Sequence, residues 1–373
     1  SPARLAAASR CSAEVRSREA RSRAAAPAFS SPAPARSKGD GSVGGPGDRP
    51  DTLYGGPGND TMLAGPIYST YYGDDGTDVV SFASRGSGLS LFLDNSSSER
   101  DRFFSIELLI GTAFNDTFFA GATSVRLDGG SGFDTLAYTH SLGPVTINLS
   151  GATFSGGWAD GDSATNIEWI AGSQYGDQFI GDAAANIFEG HLGADFFIGG
   201  LGADTFIGGQ DFDMVSYEDN HGPVVANLAS GQGSGNAAQG DAYSGMEQLR
   251  GTVFADAVFG DGNTNLVDGN AGDDFLIGGL GGDVFVGGLG TDMVSYEDNY
   301  GAVYASLTLG GFGNAAQGDT YSGVEQLRGT LFNDTLAGDS GINLLDGNSA
   351  NDVLLGGLGA DLLIGGAGND TAS

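Results

Sequence analysis

Cysteine, lysine and histidine are nearly missing from this chain of 373 residues. The one cysteine, Cys11, excludes an internal disulfide and is interpreted as a free thiol. The three histidines form no His-Glu-x-x-His zinc motif, and the sole lysine, Lys38, follows no phosphate-binding glycine loop. The sequence also has no Gly-x-Ser-x-Gly nucleophile elbow and no run of about 18 apolar residues, so it predicts neither these enzyme classes nor a transmembrane helix.

Basic residues are scarce and unevenly placed. The chain has 47 acidic and 15 basic residues, and nine of the basic ones lie within residues 1–50. Residues 51–373 therefore carry 43 acidic and six basic side chains, a net charge of −37. Such a body would repel itself unless cations neutralised it. It argues against a nucleic-acid partner, because phosphate contacts need Lys and Arg.

The first 50 residues differ from the rest in composition. They are rich in Ala, Arg, Ser and Pro and lack the compact apolar core of a secretory signal peptide. We predict that residues 1–50 form a disordered leader, with an organelle transit peptide as the alternative.

A long internal repeat organises residues 51–373. The segment that begins Asp213-Met-Val-Ser-Tyr recurs at Asp292, and weaker copies begin at Asp134 and Asp78. The later landmark aspartates, the last of them Asp370, are 79, 79 and 78 residues apart, whereas the first interval is 56. We therefore predict a degenerate unit at 51–134 and further units at 135–213, 214–292 and 293–373.

A second period of nine residues lies inside each long unit. Acidic or amide residues recur at this spacing, and the second residue after each is nearly always apolar, as Phe197 is after Asp195. Paired glycines precede the aspartates, as in Gly199-Gly200-Leu-Gly202-Ala-Asp204. Glycine adopts positive φ without strain, and turns built from it expose backbone carbonyls. Because Ca²⁺ prefers six to eight carboxylate and carbonyl oxygens, these turns are candidate calcium half-sites.

The nonapeptide Gly-Gly-x-Gly-x-Asp-x-U-x, where U is a large apolar residue, resembles the repeat of RTX, or hemolysin-type, calcium-binding proteins. The resemblance implies an all-β fold, a parallel β-roll or β-solenoid in which one coil uses two nonapeptides. It also implies that turns two repeats apart stack on one side with Ca²⁺ between them. Asp195 and Asp213 should then share a side, with Asp204 on the other. The positions of the repeats predict three short stacks separated by about 40 residues of other β structure.

The predicted calcium ligands are the aspartates of the three stacks, the glycines of their turns, and two isolated aspartates. The aspartates are Asp195, Asp204, Asp213, Asp274, Asp283, Asp292, Asp352, Asp361 and Asp370, with Asp60 and Asp134 in the isolated loops. The glycines are Gly199, Gly200, Gly202, Gly278, Gly279, Gly281, Gly287, Gly288, Gly290, Gly356, Gly357, Gly359, Gly365, Gly366 and Gly368.

Several positions depart from the repeat. Asn186, Asn265 and Asn343 replace the aspartate and are interpreted as capping turns, while Asp211 and Ala350 replace turn glycines. Asp177 and Asp256 extend two of the stacks. Asp241, Glu247, Asp319 and Glu325 lie between the stacks and are interpreted as structural rather than as metal ligands.

The sequence thus predicts a non-catalytic protein that binds calcium ions. Resemblance to the RTX family implies passage through type I secretion machinery and folding on extracellular calcium. The alternatives are the RTX region of a larger secreted enzyme, such as a polysaccharide epimerase, lyase or protease, and an adhesin retained at the cell surface. The sequence does not identify a protein or glycan partner.

Overall fold

The computed structural model describes residues 51–95, 100–219, 221–297 and 300–373. Within these residues the chain forms 37 short β-strands and three short 3-10 turns, and no α-helix. The 3-10 turns are Gly157–Ala159, Asn236–Ala238 and Asn314–Ala316. No helix in the described part has the length and apolar character needed to cross a membrane.

The strands up to the first complete unit are β1 (Thr52–Tyr54), β2 (Thr61–Leu63), β3 (Thr70–Tyr72), β4 (Val79–Ser81), β5 (Ser90–Phe92), β6 (Arg102–Phe104), β7 (Leu108–Ile110), β8 (Thr117–Phe119), β9 (Arg126–Asp128), β10 (Thr135–Ala137), β11 (Thr146–Asn148), β12 (Thr153–Ser155), β13 (Ser163–Thr165), β14 (Trp169–Ala171), β15 (Gln178–Ile180), β16 (Ile187–Leu192), β17 (Phe196–Ile198), β18 (Thr205–Gln210) and β19 (Met214–Ser216). The remaining strands are β20 (Val225–Asn227), β21 (Gln232–Ser234), β22 (Ala242–Ser244), β23 (Gln248–Arg250), β24 (Ala257–Phe259), β25 (Leu266–Asp268), β26 (Phe275–Ile277), β27 (Val284–Val286), β28 (Met293–Ser295), β29 (Tyr304–Ser306), β30 (Gly310–Phe312), β31 (Thr320–Ser322), β32 (Gln326–Arg328), β33 (Thr335–Ala337), β34 (Leu344–Asp346), β35 (Val353–Leu355), β36 (Leu362–Ile364) and β37 (Thr371–Ala372).

The strands are short because the nine-residue repeat leaves about three residues between turns. Successive side chains of a strand point to opposite faces, so the central residue of each strand points inward. Phe179, Phe188, Phe197 and Phe206, the second residues of β15–β18, take this inward position, and each is 0% exposed. Phe179 stacks on Phe197 with ring centroids 5.1 Å apart. The core is therefore a column of apolar side chains enclosed by two layers of strands.

One coil of the roll consists of two strands and two turns. Gln178 pairs in parallel with Phe196, and Phe196 pairs with Met214, so the register advances 18 residues per coil. The intervening strands β16 and β18 pair with each other in a different sheet. Consecutive strands thus alternate between the two layers, as the two-nonapeptide coil requires.

The roll is continuous through the segments between the nonapeptide stacks. The pairing of β18 with β22 joins Thr205 to Ala242, and that of β19 with β23 joins Met214 to Gln248. One sheet runs through 15 strands, from β5 to β36, and another through nine, from β12 to β31. The interpretation of three separate stacks was wrong, because the intervening segments supply strands to the same two layers.

Each intervening segment adds a hairpin to one layer. The hairpins β11–β12, β20–β21 and β29–β30 are antiparallel, and the first strand of each pairs in parallel with the following coil. The first strands of these hairpins, β11, β20 and β29, directly follow Val145, Val224 and Val303. The register across a hairpin grows from 18 to as many as 37 residues, as between Thr205 and Ala242.

Equivalent aspartates of successive units lie in opposite layers. Asp134 and Asp292 precede β10 and β28 of the 15-stranded sheet, whereas Asp213 precedes β19 of the nine-stranded sheet. This follows because each unit contributes an odd number of half-coils.

The all-β parallel β-roll predicted from the nonapeptides is confirmed by this topology. The boundaries at 134, 213 and 292 stay predictions. The predicted leader, residues 1–50, lies outside the described residues.

Candidate metal centres

The repeat aspartates form ladders along both edges of the roll. In each ladder, Oδ1 of an aspartate accepts the backbone N–H of the residue one coil earlier. Asp213 accepts from Asp195 at 2.8 Å, and Asp195 accepts from Asp177 at 2.6 Å. On the opposite edge, Asp204 accepts from Asn186 at 2.8 Å. The predicted placement of Asp195 and Asp213 on one edge and Asp204 on the other is what the structure has.

The same bond recurs in the other stacks. It joins Asp256 to Asp274, Asp274 to Asp292, Asn265 to Asp283, Asp334 to Asp352, Asp352 to Asp370 and Asn343 to Asp361, at 2.8–3.0 Å. The isolated aspartates belong to the ladders as well, since Asp116 donates to Asp134 and Asp60 to Asp78.

The second carboxylate oxygen of many ladder aspartates is buried without a hydrogen-bond donor. Among the described residues this holds for Oδ2 of Asp60, Asp78, Asp134, Asp195, Asp204, Asp213, Asp274, Asp292 and Asp352. Buried polar atoms are nearly always satisfied in native proteins, and an unsatisfied carboxylate oxygen is costly. The repetition of the same orphaned atom indicates a ligand that supplies positive charge.

The first glycine of each motif makes room for this oxygen. A Cβ on Gly199 would lie 2.3 Å from Oδ2 of Asp204, and one on Gly278 would lie 2.1 Å from Oδ2 of Asp283. Gly287, Gly356 and Gly365 are placed in the same way against Asp292, Asp361 and Asp370. Any other residue would fill the space that the carboxylate faces. The glycine is therefore required by the space beside the carboxylate, and no positive φ is recorded for it.

The second and third glycines of the motif shape the turn. Gly200 and Gly202 have φ of 92° and 140°, in the region that favours glycine. The pairs Gly279 and Gly281, Gly288 and Gly290, Gly357 and Gly359, and Gly366 and Gly368 also have positive φ. A Cβ on Gly200 would lie 2.2 Å from the carbonyl oxygen of Asp182, one coil earlier. Stacked turns thus bring backbone carbonyls close to the carboxylate ladder.

Burial and like charge act together on these carboxylates. Desolvation, opposed by a backbone hydrogen bond and reinforced by neighbouring aspartates, raises the pKa of Asp195 and Asp274 to about 7. The same causes, with Asp241 the acidic neighbour of largest effect, raise the pKa of Asp204 to about 7. For Asp213 and Asp292, burial and a nearby glutamate raise the pKa to about 6. Without a cation, the ionised ladders are electrostatically unfavourable.

A second class of aspartate has hydrogen-bond donors for both carboxylate oxygens. Both oxygens of Asp256 accept hydrogen bonds: Oδ2 from the Thr252 N–H at 2.5 Å and Oδ1 from the Val224 N–H at 2.7 Å. The Thr252 hydroxyl adds further bonds to the same carboxylate. Asp116, Asp177 and Asp334 are capped likewise by Thr112, Ser173 and Thr330. Asp177 and Asp256 extend the ladders, but their carboxylates already have donors.

A third class is bound by tyrosine. The hydroxyl of Tyr217 donates to Oδ2 of Asp241 at 2.7 Å, and that of Tyr296 donates to Asp319 at 2.7 Å. Tyr138 and Asp162 form the same pair at 3.0 Å. The structure supports the interpretation of Asp241 and Asp319 as structural, since each carboxylate continues a ladder and holds a buried hydroxyl.

The departures from the motif keep the ladder geometry. Asp211 has φ of 83° at a turn-glycine position, and its carboxylate accepts the Gly193 N–H at 3.1 Å. Ala350 has φ of 85°, where a non-glycine residue is strained. Asn343 accepts the Asp339 N–H within its own turn. Asp361 is half-buried and Asp370 is exposed.

The donor set fits a hard cation. The described residues contain no group of three or more His, Cys, Asp or Glu side chains around one point. A bound ion would therefore take an orphaned Asp oxygen and complete its shell with turn carbonyls. The groups that converge at the ladder turns are carboxylate and backbone carbonyl oxygens, and such oxygen donors suit Ca²⁺.

Comparison with protein families agrees with this geometry. The model of the RTX calcium-binding nonapeptide repeat matches residues 46–66, 105–136, 167–215, 244–294 and, in overlapping copies, 319–372, which together exceed half of the chain. The chain belongs to the RTX calcium-binding repeat family. The repeats of this RTX protein are calcium-binding motifs, which supports Ca²⁺ as the ion that its orphaned carboxylates face. No curated protein matches the chain significantly.

Sequence reasoning missed two features of the RTX ladders. Asp78 has the same orphaned Oδ2 as the predicted ligands, and its signal was the spacing of 18 from Asp60. The caps on Asp116, Asp177, Asp256 and Asp334 were also missed, although a Gly-Thr or Gly-Ser pair precedes each of these aspartates.

Proposed function

We propose that this RTX protein is a secreted, non-catalytic protein whose β-roll assembles when extracellular Ca²⁺ fills the aspartate ladders. The observation that carries the proposal is the set of buried Oδ2 atoms without donors on both edges of the roll. In the low-calcium interior of a cell, repulsion along the ladders favours the unfolded chain. That chain is the form that type I secretion machinery transports, by analogy with the family. Outside, cation binding becomes folding free energy.

Three features support a role without catalysis. Each histidine ring contacts a residue one or two positions away in sequence: Thr139, Glu189 or Asp219. The buried acidic residues described above belong to ladders, turns or tyrosine pairs. Ion pairs on the outer surface, such as Arg250 with Asp268 at 2.8 Å, join neighbouring coils. These arginines therefore have a structural role.

Circular dichroism during a calcium titration tests the proposal. We expect the calcium-free chain to lack most of its β signal and to gain it cooperatively at calcium concentrations of about 10⁻⁴–10⁻³ M, the range of extracellular modules. Magnesium at the same ionic strength is the control, since it demands a smaller octahedral shell. A β spectrum that chelation leaves unchanged, together with no calcium uptake in equilibrium dialysis, would refute it.

A further inference from the structure

Each hairpin is closed by a glutamate that takes the place of the next ladder aspartate. Oε2 of Glu247 accepts the Asp213 N–H at 3.0 Å. In a regular coil the corresponding acceptor is Oδ1 of the aspartate 18 residues later, as Asp213 accepts from Asp195. Glu325 accepts from Asp292 at 3.0 Å, Glu168 from Asp134 at 2.8 Å and Glu107 from Asp78 at 2.7 Å. The four pairs are 29–34 residues apart in sequence. These glutamates lie outside the nonapeptide motif.

The aspartate of each pair has an oxygen aimed into the space between the two coils. Asp78, Asp134, Asp213 and Asp292 are each at most 1% exposed. Oδ2 of each one is buried without a hydrogen-bond donor. The pairs therefore contain a deeply buried carboxylate oxygen that the ladder does not satisfy.

A backbone carbonyl converges on the same space. A Cβ placed on Gly208 would lie 2.0 Å from the carbonyl oxygen of Gly245 and 2.4 Å from Oδ2 of Asp213. At Gly287 the corresponding distances are 1.9 Å to the Gly323 carbonyl and 2.6 Å to Asp292.

The two earlier units repeat the arrangement. A Cβ on Gly129 would lie 2.0 Å from the carbonyl oxygen of Asn166, and one on Gly73 would lie 1.8 Å from that of Ser105. In each unit this carbonyl comes from the residue two positions before the glutamate, and that residue has a φ of 51–63°. In a regular coil the equivalent carbonyl belongs to the next motif glycine, as Gly208 provides it beside Asp195.

We infer that each Asp–Glu pair is a calcium site completed by residues outside the nonapeptide: Asp78 with Glu107, Asp134 with Glu168, Asp213 with Glu247, and Asp292 with Glu325. This inference rests on the proposed function, since it needs calcium to fill the ladders. Each site takes Ca²⁺ through the orphaned Asp oxygen, the converging carbonyl and the half-buried Glu carboxylate. Two carboxylates and carbonyl oxygens form a donor set that a hard cation prefers. In the three units that carry a hairpin, at residues 146–155, 225–234 and 304–312, the ion thereby fastens both ends of that hairpin to the roll.

Calcium stoichiometry measured by isothermal titration and equilibrium dialysis tests the inference. The test variant is Glu247→Gln with Glu325→Gln, which keeps an oxygen acceptor for the Asp213 and Asp292 N–H groups and removes two charges. The matched control is Glu218→Gln with Glu297→Gln, which removes two charges from exposed glutamates paired with Arg250 and Arg328. We expect the test variant to bind about two fewer calcium ions per chain, one for each altered site, and the control to bind as many as wild type.

The outcomes separate the two proposals. Wild-type chain that binds no calcium overturns the proposed function and this inference together. Wild-type calcium uptake with an unchanged stoichiometry and affinity in the test variant overturns only the Asp–Glu sites and leaves the glutamates as structural acceptors. If the double variant does not recover the wild-type β spectrum at saturating calcium, the two single variants are titrated. The loss of about one ion from each then supports the sites, and full stoichiometry in both refutes them.

Discussion

Asp256 and Asp274 are neighbours on one ladder, yet the structure gives them different relations to calcium. Asp274 has an orphaned Oδ2, whereas both oxygens of Asp256 accept hydrogen bonds from Thr252 and Val224. Asp274→Asn and Asp256→Asn are therefore nearly isosteric changes with different expected effects. The first removes a ligand charge, and the second replaces a satisfied acceptor with an amide that faces the Thr252 N–H.

The magnitudes follow from linkage. Above its dissociation constant, each ion bound only by the folded state adds about 1.4 kcal/mol to the free energy of unfolding for every tenfold rise in calcium. Asp274→Asn should reduce this gain by about that amount for each ion lost. Asp256→Asn should leave the gain unchanged and lower the free energy of unfolding by about 1.5–3 kcal/mol at every calcium concentration, the value of a hydrogen bond to a charged group.

Urea unfolding at a series of calcium concentrations measures both effects. The free energy of unfolding plotted against the logarithm of calcium concentration should flatten for Asp274→Asn and shift downward in parallel for Asp256→Asn. Asp195→Asn and Asp177→Asn form a second matched pair, because Ser173 caps Asp177. A parallel shift for the Asp274 variant, or a flattened plot for the Asp256 variant, would show that the hydrogen-bond pattern does not select the calcium ligands.

Three further outcomes are expected. Ala350→Gly should raise the thermal midpoint by relieving about 1 kcal/mol of left-handed strain at φ 85°; a lower midpoint in calorimetry at saturating calcium contradicts this. Tyr217→Phe leaves Oδ2 of Asp241 without its hydroxyl donor and should cost about 1–3 kcal/mol in urea unfolding with calcium stoichiometry unchanged; a changed stoichiometry would contradict the purely structural role of the Tyr217–Asp241 pair. The pKa values of Asp195 and Asp204 in the folded, calcium-free chain, about 7, exceed the unfolded value of about 3.9. The calcium-free roll should therefore gain stability as pH falls through 7 toward 4 and lose it as pH rises, which circular dichroism of metal-depleted protein from pH 8 to pH 5 checks; stability that rises with pH would contradict the assignment.

Much of this architecture could be predicted from the sequence because the same nine-residue motif repeats along the chain. A nine-residue period with an apolar residue two positions after each aspartate predicts short strands whose central residues, such as Phe197, point inward. The coil of two nonapeptides, which the resemblance to the RTX family implies, then places Asp195 and Asp213 on one side. The glycines followed from the same rule, although the structure separates those that need positive φ, such as Gly200, from those beside a carboxylate, such as Gly199.

What the sequence did not reveal depends on contacts between distant segments. The pairing of Thr205 with Ala242 spans 37 residues in place of the 18 of a regular coil, so the nine-residue period does not predict that the roll continues across the hairpin. The distinction between Asp256 and Asp274 depends on whether a donor four residues upstream reaches the carboxylate, and that is a property of the folded turn. Thr252 distinguishes the two turns in the sequence, but only the turn geometry shows that its N–H reaches the Asp256 carboxylate.

Equivalent aspartates of successive units alternate between the two layers. Successive long units are therefore related by a rotation of about half a turn around the axis of the roll, together with a shift along it. Duplicating or deleting a single unit would keep every hydrogen-bonded strand pair possible and yet rotate everything downstream by about half a revolution. Two units together restore the original orientation. The side of the roll on which a given surface feature lies would thus depend on whether an odd or an even number of units precedes it. Variants that carry the feature on one side or on both sides could be built by choosing the number of units.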